Sequence, residues 1–338
     1  MTPVERINLR LRAGMLDEPP SKKRRIGLVI LITLLVFLIA STAVSLVVTP
    51  FQTAYLLQAV DFSGIGGAVS EPTSFLKEFI AVMKSVVEAA KNMPAWINLI
   101  TLFTFAFITL ACVICRVKIE KGTLYSLGFK KEGALKQYLL GLAIGAAVFS
   151  AAILIGLAVG CYKYEGTVEF SVSNTVYVIL FFFGYAVQGM GEEVLCRGFM
   201  MTALTRKYSV LCAVAVNSAF FSILHAANPG TSVLAFFNLF LYGVFASVLM
   251  LKTDNIWIVC AVHSVWNFVQ GNFFGLSVSG NGLAPSVLRI SADGTRIWTG
   301  GDFGPEGGLC VTAVLLAAIA VTMLTGRKKL NQEEQNKE

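Results

Sequence analysis

Long apolar runs separated by short charged segments organise this chain. Eight such runs stand out: Ile26–Val48, Ala95–Cys115, Gln137–Gly160, Thr175–Leu204, Val210–Ala227, Val233–Leu251, Ile256–Asn272 and Leu309–Thr325. A helix that crosses a bilayer needs about 20 mostly apolar residues. The pattern therefore predicts an all-α, multi-pass transmembrane helical bundle of about eight helices. The first run is too long for a signal-peptide core, and Thr49, Pro50 and Gln52 follow it without a cleavage pattern. It reads as a retained helix.

Two stretches between the runs are long. Segment 49–94 contains SFLKEFIAVMKSVVEAAKNM, in which Phe75, Phe79, Ile80, Met83, Val87 and Ala90 recur at helical spacing. Lys84 and Glu88 pair at i,i+4 on another side. These residues predict an amphipathic helix over about 74–93, lying on the outer membrane surface. Segment 273–308 is rich in Gly, Ser and Asp and is expected to be irregular. No internal repeat and no soluble domain is apparent.

Composition agrees with a membrane solvent. Of 338 residues 56% are hydrophobic and only 14% are charged, with a mean hydropathy of +0.72. Soluble domains carry about 25% charged residues. The net charge of +7 does not indicate nucleic acid, because Lys and Arg cluster between the apolar runs. With both termini cytoplasmic, 21 of the 27 Lys and Arg fall on the cytoplasmic side. The chain then divides into a basic cytoplasmic tail (1–25), two transmembrane helices with the amphipathic segment (26–115), a core (116–272), an extracytoplasmic loop (273–308), and a last helix with its tail (309–338). The seven cysteines show no disulfide spacing and read as small buried hydrophobes; Cys161 stands alone in a short loop.

Charge is rare in the core. From Ser171 to Leu251 the charged residues are Glu192, Glu193, Arg197, Arg206 and Lys207. An ionisable group inside a membrane is costly, about 2.5–3.5 kcal/mol on insertion scales, and marks a candidate functional site. On a helix Glu193 and Arg197 stand at i,i+4 and can pair, whereas Glu192 is rotated about 100° from Glu193 and is freer for chemistry. Both of the chain's histidines lie in predicted spans: His225 four residues after Phe221, and His263 four before Asn267.

These residues resemble the CAAX-protease and bacteriocin-processing (CPBP, or Abi) family of intramembrane endopeptidases. EEVLCR matches its EExxxR motif, FSILH its FxxxH motif and HSVWN its HxxxN/D motif, in order, over about residues 120–272. The resemblance implies a protease in which Glu192 is the general base and His225 helps to position and activate the water. His263 and Asn267 would bind the oxyanion or orient the water, and Glu193 with Arg197 would form a supporting pair. A metal-free glutamic mechanism is favoured; if zinc is present, Glu192, His225 and His263 are its implied ligands. The implied substrate is a membrane-proximal peptide or a membrane-anchored protein, and the implied location a bacterial plasma membrane. Eukaryotic relatives trim prenylated proteins, and bacterial ones are linked to bacteriocin maturation or immunity. Two other readings stay open: a non-catalytic immunity or binding protein, and a proton-coupled transporter.

Overall fold

A computed structural model describes residues 24–62, 72–282 and 284–325. Of the tails that were expected to be cytoplasmic, residues 1–23 and 326–338 lie outside them. The eight apolar runs all fold as helices. Helix α1 is Ile26–Ala59 and α2 is Pro72–Lys91. Helix α3 runs Ala95–Thr104 and Ala106–Ile114 and ends in a π-helical turn at Cys115–Ile119. Helix α4 is Ala134–Ala158. Helix α5 runs Val172–Glu193, widens into a π-helical stretch at Val194–Met201 and closes at Thr202–Thr205. Then come α6 (Val210–Leu224), α7 (Val233–Thr253), α8 (Ile256–Phe268, with a π-helical turn Val269–Phe273) and α9 (Leu309–Leu324). Five of these segments are long and apolar enough to cross a membrane: 26–59, 95–119, 134–158, 172–205 and 233–253. The fold is an all-α membrane bundle.

Helix α8 is the axis. Its residues from Ile258 to Asn267 are all buried. It packs between α4 and α5, while α7 packs against α6 and α9. Small residues allow the close crossings, since lipid supplies no hydrophobic drive between helices. A Cβ on Gly145 of α4 would lie 2.9 Å from Val262 Cα of α8. One on Gly189 of α5 would lie 2.8 Å from Ser264 Oγ and 2.9 Å from its N. That last contact sets the turn leading into EEVLCR directly beside His263. The helices start on side-chain caps: Ser171, Ser209, Ser232 and Asn255 each accept from a backbone N–H two or three residues on.

Three boundaries depart from the sequence reading. Helix α1 does not stop at Val48 but runs through Pro50 to Ala59. Its extension is held by a T-shaped Phe51–Trp96 contact and by Tyr55 Oη donating to Asn92 O. Helix α6 stops at Leu224 instead of Ala227, and is only 15 residues long. Segment 273–308 is more ordered than its composition suggests. Strand β2 (Leu288–Ala292) pairs antiparallel with β1 (Tyr162–Thr167), in the register Tyr162↔Ala292 and Tyr164↔Ile290, with a bulge before Gly166. Three single-turn helices follow, at Arg296–Thr299, Gly301–Phe303 and Pro305–Gly307. This segment caps the end of the bundle where α6 ends and α7 begins. Asn238 of α7 fastens it by donating to Glu306 O and Gly308 O. The expected amphipathic helix is α2. Its Phe79, Ile80, Met83 and Val87 are exposed, and Val82 is buried. All seven cysteines are free, and all but Cys212 are buried.

Candidate active site

The two adjacent glutamates of α5 have different surroundings. Glu193 and Arg197 are fully buried, with Arg197 Nη1 3.0 Å from Glu193 Oε1. The guanidinium lies 4.7 Å from the centre of the Phe221 ring, a cation–π contact. Glu192 turns the other way, into a cavity of about 270 Å³. Its Oε2 is buried and has no hydrogen-bond partner among the described residues.

Both histidines face that oxygen. His225 Nε2 and His263 Nε2 each stand 3.7 Å from Glu192 Oε2. Helix α6 is short, its 15 residues spanning about 22 Å at 1.5 Å per residue. It therefore ends at the level of Glu192 and not beyond it. The far ring nitrogens fix the tautomers. His225 Nδ1 is 2.9 Å from Phe221 O, and a carbonyl can only accept, so Nδ1 carries the proton. His263 Nδ1 is 2.8 Å from Glu193 Oε1, the oxygen that also receives Arg197, so it too donates. In their neutral forms both rings present an Nε2 lone pair to the site. Tyr242 and Phe221 meet the His263 ring edge-to-face at 5.2 and 5.9 Å and restrict its rotation.

Asn267 was expected to orient the water or receive the oxyanion. The structure adds an intermediary that the sequence reading missed. Asn267 Nδ2 donates to Gln188 Oε1 at 3.1 Å, and Gln188 Nε2 donates to Glu192 Oε1 at 3.1 Å. Gln188 thus holds one carboxylate oxygen and leaves the other for the cavity. It lies four residues before Glu192, on the same helix face, and that spacing was the available signal. All six residues singled out from the sequence are brought together here.

The donor set bears on the metal. Zinc–ligand bonds of about 2.0–2.2 Å space tetrahedral donors about 3.3–3.6 Å apart. The Glu192–histidine separations are 3.7 Å. Among the described residues no group of three or more His, Cys, Asp or Glu side chains is placed to hold a metal ion. The site as arranged does not fit zinc.

Residues 173–269 match a family model described as Rce1-like, type II CAAX prenyl endopeptidase. The matched segment contains EEVLCR, FSILH and HSVWN and all of the residues above. It supports the resemblance to CAAX proteases. No curated protein and no solved structure matches the chain.

Proposed function

We propose, from a Rce1-like core over 173–269, that the chain is an intramembrane endopeptidase that hydrolyses a membrane-proximal peptide bond. One observation carries the mechanism: an unpartnered Glu192 Oε2 with two imidazole Nε2 atoms, each 3.7 Å away, on a cavity wall. These gaps are too long for direct hydrogen bonds and suit a bridging water. His225 Nε2 accepts one hydrogen of that water and Glu192 Oε2 the other. Glu192 takes the proton as the oxygen attacks the carbonyl carbon, then returns it to the leaving amine. Negative charge grows on the carbonyl oxygen. A protonated His263 donates to it from Nε2 while its Nδ1 stays anchored on Glu193. The N–H of Asn267 not used by Gln188 is a second donor. One such donor contributes about 3–4 kcal/mol to the transition state.

The test is turnover of a peptide library by purified protein in detergent, read by mass spectrometry. Glu192→Gln is close to isosteric and keeps an acceptor for Gln188 Nε2. It should fold as the parent does and lose about 10²–10⁴ in turnover, the range of a lost general base. Full turnover in that variant would remove Glu192 from the chemistry.

A further inference from the structure

The cavity that holds Glu192 also reaches the capping segment, where Glu306 lines it. Glu306 is 8% exposed. Its carboxylate accepts three hydrogen bonds, and all of them fall on Oε2: from Ser279 N at 2.7 Å, Ser279 Oγ at 2.8 Å and Gln270 Nε2 at 3.3 Å. Those donors fix the plane of the carboxylate and leave Oε1 for the cavity. Among the described residues no lysine or arginine lines that cavity, and the partners of the Glu306 carboxylate are the neutral Ser279 and Gln270. A buried carboxylate with hydrogen bonds but no counter-charge is incompletely compensated.

We propose that Glu306 is a substrate subsite, taking a cationic group of the bound peptide, a Lys or Arg side chain or a free amine. The proposal rests on the proteolytic reading and names the substrate class for it. Its distance from the chemistry follows from α8. Gln270, which holds Glu306, lies seven residues beyond His263, about 10 Å along the helix at 1.5 Å per residue. An extended peptide covers about 3.3 Å per residue, so the cation belongs about three residues from the scissile bond. Apart from Glu192, the two histidines and Glu306, the cavity lining is apolar or neutral, Tyr185, Trp266 and Asn281 among it.

The experiment is a lysine scan. Fluorogenic peptides carry one Lys, moved from four residues before to four after the cleaved bond, in an alanine-rich apolar sequence. For the wild type, kcat/KM should be about tenfold higher with Lys than with Ala at one position about three residues away. In Glu306→Gln, which keeps an acceptor for Ser279, that Lys-to-Ala ratio should fall to about 1. In Glu306→Lys a glutamate peptide should become the preferred one. A ratio that survives Glu306→Gln, or a wild type with no positional lysine preference, overturns the subsite and leaves Glu306 as a clamp of the cap. A second arm separates this from the proteolytic reading. Anisotropy of the labelled Lys and Ala peptides is measured on Glu192→Gln with and without Glu306→Gln. Tighter Lys binding that disappears with Glu306→Gln sustains the subsite even if no peptide is cleaved. Equal binding of both peptides refutes it.

Discussion

Arg197→Met tests how the buried charges of α5 hold the site. Methionine keeps roughly the length of the arginine stem and removes its charge. Glu193 would then be a fully buried carboxylate with His263 Nδ1 as its remaining donor. Removing one partner of a buried pair costs about 3–5 kcal/mol. Loss of the guanidinium over Phe221 adds up to about 2 kcal/mol when the contact is desolvated. The double variant Glu193→Gln/Arg197→Met removes both charges. A neutral replacement of a buried pair is often close to energetically neutral, so the double variant should regain most of the first loss. The six buried cysteines provide the assay. A thiol-reactive fluorogenic dye, added during a thermal ramp in detergent, reports their exposure. The expected order of midpoints is wild type, then double variant, then Arg197→Met well below. Peptide turnover should stay low in both variants, because His263 loses its charged anchor in one and its aligned carboxylate in the other. A double variant no more stable than Arg197→Met would refute the pair as the source of the cost. Full activity in the double variant would refute Glu193 as the residue that positions His263.

Three shorter predictions follow. Gln188→Leu removes the hydrogen bond that orients the Glu192 carboxylate; kcat should fall about 10- to 100-fold with KM little changed, the range of a lost bond to a charged group of about 1.5–3 kcal/mol, and an effect on KM alone would deny Gln188 its positioning role. Extended dialysis of active protein against a strong chelator should leave turnover intact, whereas loss restored by zinc alone would replace the glutamate mechanism with a metal-assisted one. In a Cys212→Ala background, Asp302→Cys, whose parent side chain is 76% exposed, should react with an impermeant thiol reagent on intact cells, and Glu132→Cys should not; the opposite pattern would invert the orientation read from the 21-to-6 split of basic residues.

The parts of this molecule that are legible in its sequence are those fixed by local physics. A run of apolar residues of bilayer length has few alternatives to a helix, and i,i+4 spacing is enough to place Glu193 on Arg197. What is not legible depends on long-range contacts. Pro50 reads as an end to α1 because its missing N–H removes a helical hydrogen bond; the helix continues because Phe51 and Tyr55 find Trp96 and Asn92 some forty residues on. Strand β2 is five residues of LRISA with no apolar run to announce it, and its partner lies more than a hundred residues earlier. Gln188 is within reach of the helical rule, yet in YAVQGMGEE a lone amide beside two carboxylates draws no notice until Asn267, 79 residues away, is found holding its other end. Glu306 offers no pattern at all. It sits in a Gly-rich turn, and its meaning comes from Gln270 and Ser279, 36 and 27 residues upstream. The same division separates the residues proposed for the chemistry from the one proposed to select the substrate. Glu192, His225 and His263 are carried on helices whose register the sequence sets, so their motif spacing is tight. A residue that reads the substrate can hang from a loop, provided that the loop is tied to a helix at a known distance from the reacting bond. Here the tie is Gln270, on the same helix as His263, which gives the cap a fixed position relative to that histidine.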